Sequence, residues 1–153
     1  MSSKHFPISV TELWEWLPHR PPMIWVDEVV AVTTTGGECR VLLNRDALYM
    51  DSDGVRQSAM IEWIAQSFGY VRAVQNIFGL IPQNEPPSRT LLIAVRDGVF
   101  HSPLNEFDLD KEKVLHFKVS NIKDMSPLLL FDGMVSSQEG RCLFSARITA
   151  YSD

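Results

Sequence analysis

Glu62 is the only charged residue between Arg56 and Arg72, in the stretch Gln57-Ser58-Ala59-Met60-Ile61-Glu62-Trp63-Ile64-Ala65-Gln66-Ser67-Phe68-Gly69-Tyr70-Val71. A lone carboxylate in an apolar helix is costly unless it is paired or its protonation equilibrium shifts. That environment suits proton transfer. Gln66, one helical turn on, is expected to orient Glu62 by a hydrogen bond and is a candidate contact for substrate. The chain has four histidines that could serve as a base. His5 is near the N-terminus, His101 ends a strand beside Ser102-Pro103, and His116 alternates with Lys118 and Ser120 and is expected to face solvent. His19 follows a proline and precedes the first core strand. It is read either as a backbone-bonded brace for a proline-rich turn or as the base, with an imidazole suited to neutral pH. Asp51 and Asp53 precede the helix and are expected to cap it and face its dipole. Cys39 and Cys142 lie far apart in strand-like segments and are expected as reduced thiols. Two isolated cysteines and four scattered histidines are not a metal-binding pattern, and neither a metal nor another cofactor is expected.

These residues must be carried by a recognisable run of elements. Ser9-Val10-Thr11-Glu12 has capping-box spacing, predicting a short helix over 9–17 that Pro18, Pro21 and Pro22 stop. Met23 to Thr34 reads as a long strand, Gly36-Gly37 as a turn, and Glu38 to Asn44 as the returning strand. Ile61, Ile64, Phe68 and Val71 follow helical spacing, and Met60, Trp63, Val74 and Phe78 fill the other sectors. The expected helix spans 55–78 and is apolar nearly all round, hence buried, with Ser58, Glu62 and Gln66 drawing one polar line along it. A loop through Pro82-Gln83-Asn84-Glu85-Pro86-Pro87 follows. Strands are then expected over Thr90 to Ser102, Val114 to Ile122, Pro127 to Ser137 and Arg141 to Tyr151, the last two joined over Gln138-Glu139-Gly140. The predicted architecture is a single α+β domain, 1–153, with an antiparallel sheet curled around one helix. One sheet face cannot cover such a helix, so a symmetric dimer is the default expectation.

Composition narrows the partners. A 153-residue chain with 45% hydrophobic and 22% charged residues is a soluble globular domain with a proper core. A net charge of −5 without a Lys/Arg cluster argues against nucleic acid or an anionic membrane as main partner. The N-terminus lacks the apolar core of a signal peptide and no run reaches membrane-spanning length, so a cytoplasmic location is expected.

Leu17-Pro18-His19-Arg20-Pro21-Pro22-Met23-Ile24-Trp25-Val26-Asp27-Glu28-Val29 resembles the opening of the hotdog-fold 3-hydroxyacyl-acyl-carrier-protein dehydratases. Ile61-Glu62-Trp63-Ile64-Ala65-Gln66-Ser67 is similar to their central-helix motif, and the order of elements is the hotdog order. The resemblance implies elimination of water from a 3-hydroxyacyl thioester, on acyl carrier protein or coenzyme A, to give the trans-2-enoyl thioester. In that family a loop histidine removes the C2 proton and the helix acid protonates the departing hydroxyl. Backbone amides at the helix N-terminus polarise the thioester carbonyl. Glu62 matches the helix acid, and the amides near Arg56 and Gln57 match the thioester-binding end. The family's loop histidine, in a His-Phe-Pro-Gly motif, would fall near Leu48, where this chain reads Ala47-Leu48-Tyr49-Met50-Asp51-Ser52-Asp53-Gly54-Val55. His19 is the candidate to replace it. The Leu-Pro-His start, the Asp-Gly before the helix and the Ile-Glu-aromatic-x-Ala-Gln helix resemble a divergent branch found in aryl-polyene biosynthetic clusters. The resemblance leaves open a thioesterase, in which a helix carboxylate activates water, and a non-catalytic acyl-binding subunit. It also implies a homodimer or higher assembly, or a heterodimer with a related subunit.

Overall fold

The structure, a computed structural model, describes residues 5–52, 54–82, 90–101 and 113–152. Asp53, the expected loop residues 83–87 and Ser102 lie outside the described residues. The strands are β1 (Ile8–Ser9), β2 (Glu28–Val32), β3 (Gly37–Leu42), β4 (Met50–Asp51), β5 (Gly54–Val55), β6 (Thr90–Phe100), β7 (Val114–Met125), β8 (Leu128–Ser137) and β9 (Cys142–Ser152). One long helix, α1 (Ala59–Ile77), sits between β5 and β6. Seven strands form a single sheet in the order β1-β2-β3-β7-β8-β9-β6, with antiparallel pairing at every step, and β4 and β5 form a separate hairpin. This is the helix-in-a-curled-sheet arrangement expected from the strand order.

The core is the seam between helix and sheet. Met60, Trp63, Ile64, Tyr70, Val71 and Val74 of α1 are buried against Val29, Cys39, Val41, Leu115, Phe117 and Val135. Phe68 stacks flat on Phe131 with ring centroids 4.2 Å apart. Gly133 of β8 permits close approach, because a Cβ there would lie 2.7 Å from Ile64 Cγ2. Burial pushes the Cys39 thiol up to about 12, so it is a protonated core side chain, and both cysteines are free.

Element ends differ from the sequence expectation for local reasons. The N-terminal helix is a 3-10 helix, Val10–Trp16, and the Ser9 hydroxyl accepts from the Thr11 amide at 3.4 Å. It ends at an extended Leu17, before Pro18. The first long strand begins at Glu28 instead of Met23, because the Met23 carbonyl and the Trp25 amide and carbonyl are bound to helix side chains and not to a neighbouring strand. The central helix begins at Ala59 and not at Val55: Val55 pairs with Met50 in the small hairpin, and the Arg56 amide donates to Tyr49 O at 2.8 Å. It ends at Ile77, followed by Gly79 in the left-handed region at φ 69°. Strand β7 runs beyond Ile122 to Met125 by way of an irregularity at Asn121, which has φ 53°.

Candidate active site

Three side chains on one flank of α1, at positions 62, 63 and 66, together with Gly69, hold the segment 17–25 against the helix. Gln66 is fully buried. Its Oε1 accepts from the Trp25 amide at 2.9 Å, which assigns its NH2 group to the other side. That group donates to Met23 O and to Glu62 Oε1, each at 2.8 Å. The buried Trp63 indole donates to Trp25 O at 2.9 Å. Gly69 leaves the space that Leu17 fills, since a Cβ there would lie 2.7 Å from Leu17 Cδ2. The i, i+4, i+7 spacing of Glu62, Gln66 and Gly69 is therefore a docking rail for the chain that carries His19.

His19 Nε2 lies 3.2 Å from Glu62 Oε1. The two side chains retain 29% and 34% of their exposure, so Glu62 is not enclosed in an apolar sleeve as the helix pattern suggested. The pair sits at the protein–water boundary, open enough for a reactant to reach. The Glu62 carboxyl is held below its ordinary value of 4.5, first by the His19 contact. Partial burial opposes this shift, and the Gln66 hydrogen bond adds to it. At neutral pH Glu62 is a carboxylate. Both of its close partners approach Oε1, which leaves Oε2 for a ligand. The other nitrogen of His19, Nδ1, is buried and has no hydrogen-bond partner among the described residues. Only the Nε2 edge of the ring is placed for chemistry.

The expected thioester-binding end is displaced by one residue. The Arg56 amide is committed to Tyr49 O, whereas the Gln57 and Ser58 amides have no partner among the described residues. They precede the first turn, which carries Glu62. Unpartnered amides there, with the helix dipole behind them, suit a developing oxyanion. Gln66 belongs to the site as a brace. Its carbonyl and NH2 group are engaged by Trp25, Met23 and Glu62. Replacing it with leucine is expected to orphan the Met23 carbonyl and the Trp25 amide, at about 1–3 kcal/mol each. A urea midpoint equal to that of the wild-type protein would overturn this account of Gln66.

The remaining expected residues lie elsewhere. His101, just past β6, has Nε2 2.9 Å from Ser145 Oγ of β9, and His116 Nδ1 is 2.9 Å from Glu38 Oε1 on neighbouring strands. Sequence reasoning missed two supports. Tyr49, in the loop that replaces the histidine motif, packs on Trp63 at 4.4 Å and on Trp25 at 5.5 Å. Arg20 donates to Leu17 O and His19 O at 2.9 and 2.7 Å. The adjacency of Arg20 to His19 was the one visible signal. Nothing local marked Tyr49. Among the described residues no group of three or more His, Cys, Asp or Glu could hold a metal ion, and no helix is long and apolar enough to cross a membrane.

The ApeP-like family model, described as ApeP dehydratase, matches residues 11–153. No curated protein matches the chain. Among solved structures, the chain is similar to the dehydratase heterocomplex ApeI:P from Xenorhabdus doucetiae, at 21% identity and a TM-score of 0.76, covering 95% of this chain and 91% of that one. A thioesterase family protein from Silicibacter pomeroyi is 12% identical with a TM-score of 0.63, covering 94% of each chain. A hypothetical thioesterase with coenzyme A from Streptococcus pneumoniae TIGR4 is 11% identical with a TM-score of 0.57, covering 82% and 84%. These likenesses to solved structures show a shared fold.

Proposed function

The chain belongs to the ApeP-like dehydratase family, and from that membership we propose that it removes water from a 3-hydroxyacyl thioester carried on acyl carrier protein. The product is the trans-2-enoyl thioester, in the building of an aryl-polyene or fatty-acid-like chain. The observation that carries this reading is the contact between His19 and Glu62 at 3.2 Å, on a pair still open to solvent.

The reaction runs from the one-proton form of the pair, since the elimination needs one proton accepted and one donated. In the free protein Glu62 is ionised. A bound acyl thioester strips water from the pair, and desolvation favours its neutral form, with the proton on Glu62 and a lone pair on His19 Nε2. Nε2 takes the C2 proton, while the thioester carbonyl, held by the free Gln57 and Ser58 amides, accepts the electron pair as an enolate. The enolate then expels the 3-hydroxyl, which takes the proton of Glu62 and leaves as water. The proton gained by Nε2 returns to Glu62 across the same contact, and the pair is restored. Residues with that geometry do general acid–base work without any change in net charge.

Incubating the purified chain with a 3-hydroxyacyl-carrier thioester separates the readings. Enoyl absorbance without free thiol supports dehydration. Thiol release would instead favour the thioesterase reading, for which the half-buried, solvent-reachable Glu62 carboxylate is the motivating feature. Binding without turnover would leave a non-catalytic subunit.

We further propose that a second hotdog subunit, either a copy or a related chain, covers β6. That edge strand exposes Leu92, Ile93, Val95, Val99 and Phe100, an apolar and unpaired edge of the kind that soluble monomers avoid. Sedimentation is expected to give a dimer, either alone or with the related chain, and Ile93→Glu should dissociate it. A monomer under both conditions would overturn the proposal. The two unpaired cysteines suit the reducing cytoplasm, where we place the protein.

A further inference from the structure

Among the described residues His19 has one polar contact through its ring: Nε2 meets Glu62 Oε1, and Nδ1 is buried without a hydrogen-bond partner. A catalytic histidine is ordinarily oriented through its second nitrogen by a carboxylate or a carbonyl. That support is missing here, so the orientation of the imidazole must come from its own backbone. Residues 18–20 belong to no helix or strand and have no ladder to hold them. The Arg20 side chain does this instead. Its guanidinium nitrogen Nη1 donates to the carbonyls of Leu17 and His19 at 2.9 and 2.7 Å, closing the chain on both sides of His19. The guanidinium lies 5.6 Å from the centre of the Trp14 ring, which anchors it to the 3-10 helix packed on α1. Leu17, whose carbonyl it binds, is seated at Gly69.

We propose that Arg20 is the positioning residue of the site, holding the His19 imidazole against Glu62 by bridging the backbone carbonyls on either side of it. The proposal rests on the catalytic reading of the His19–Glu62 pair. Arg20 itself is exposed and touches no reacting atom. Removing its guanidinium frees the turn, and a misplacement of about 1 Å at a catalytic group costs on the order of 100-fold in rate.

The test compares Arg20→Met, Arg20→Lys and His19→Phe by steady-state kinetics and by carbon NMR titration of the Glu62 carboxyl. Arg20→Met is expected to lower kcat by about 10- to 100-fold, with KM within about twofold and the melting temperature nearly unchanged. Its Glu62 titration should rise toward that of His19→Phe, because the carboxylate has lost its neighbour. Arg20→Lys keeps a donor for the two carbonyls but not the guanidinium over the Trp14 ring, and should fall between wild type and Arg20→Met in both readouts. A wild-type Glu62 titration in Arg20→Met would overturn the proposal, and so would a fall in kcat matched by an equal loss of thermal stability. If the titration moves as expected and no variant, wild type included, turns over a 3-hydroxyacyl thioester, the positioning role stands and the dehydratase reading fails.

Discussion

Glu62→Gln is expected to reduce kcat for enoyl formation by about 10²- to 10⁴-fold, the usual contribution of a positioned acid–base group, while leaving the fold intact. The amide has nearly the shape of the carboxyl, and its oxygen can still accept the Gln66 hydrogen bond of 2.8 Å. It cannot carry the titrating proton. KM should change little, because Glu62 acts on the transition state more than on the bound thioester. Unimpaired turnover would remove Glu62 from both the dehydratase and the thioesterase mechanisms. The wild-type protein should also show an acid limb in kcat/KM. The His19 contact lowers the Glu62 carboxyl from 4.5, so the Glu62 carboxylate, and the stability its lowered value adds, is fully present above that value. Both are lost as pH falls through the lower value of the folded protein. In His19→Phe the Glu62 titration should move upward.

Trp63→Ala should have the largest effect on stability, about 3–5 kcal/mol, against a total of about 5–15 kcal/mol for a domain of this kind. The indole is fully buried and packs 4.4 Å from Tyr49 and 5.3 Å from Phe117, measured between ring centroids. Alanine leaves a cavity between the helix and the sheet and also removes the donor to Trp25 O. Because that bond helps hold the segment bearing His19, activity in the folded fraction should fall as well. Trp63→Phe keeps most of the volume and should lose much less. Urea unfolding measures both, and a loss below about 1 kcal/mol in Trp63→Ala would mean that the surrounding rings close the gap.

Much of this was legible in the chain itself. The apolar periodicity from Met60 to Val74 specified a buried helix, because few other arrangements cover an apolar surface on every side. The alternation in β7 and β9 specified strands and their buried faces. Glu62 stood out because a charge in such a helix needs a reason, and Gln66 because it lies one turn away on the same side. The element ends were less legible. Val55 has the residue type of a helix or a strand, and only its pairing with Met50 decided the matter. Met23 to Asp27 reads as strand, yet Gln66 and Trp63 claim the Met23 carbonyl and the Trp25 amide and carbonyl across more than 35 residues of sequence.

From its local pattern, then, the chain specified a sheet wrapped on one helix, with a single acid on that helix. Periodicity records which surfaces must leave water, and that depends on neighbours a few residues apart. It left the partner of the acid open, because Glu62 and His19 are separated by the whole of β2 to β5. Their 3.2 Å contact exists only once Leu17 has settled on Gly69 and Gln66 has bound the turn. Tertiary packing also decided that Glu62 stands at the boundary with water as a carboxylate, and that one nitrogen of His19 is sealed. Exposure and protonation depend on what surrounds a group in space, which the order of residues along the chain does not state.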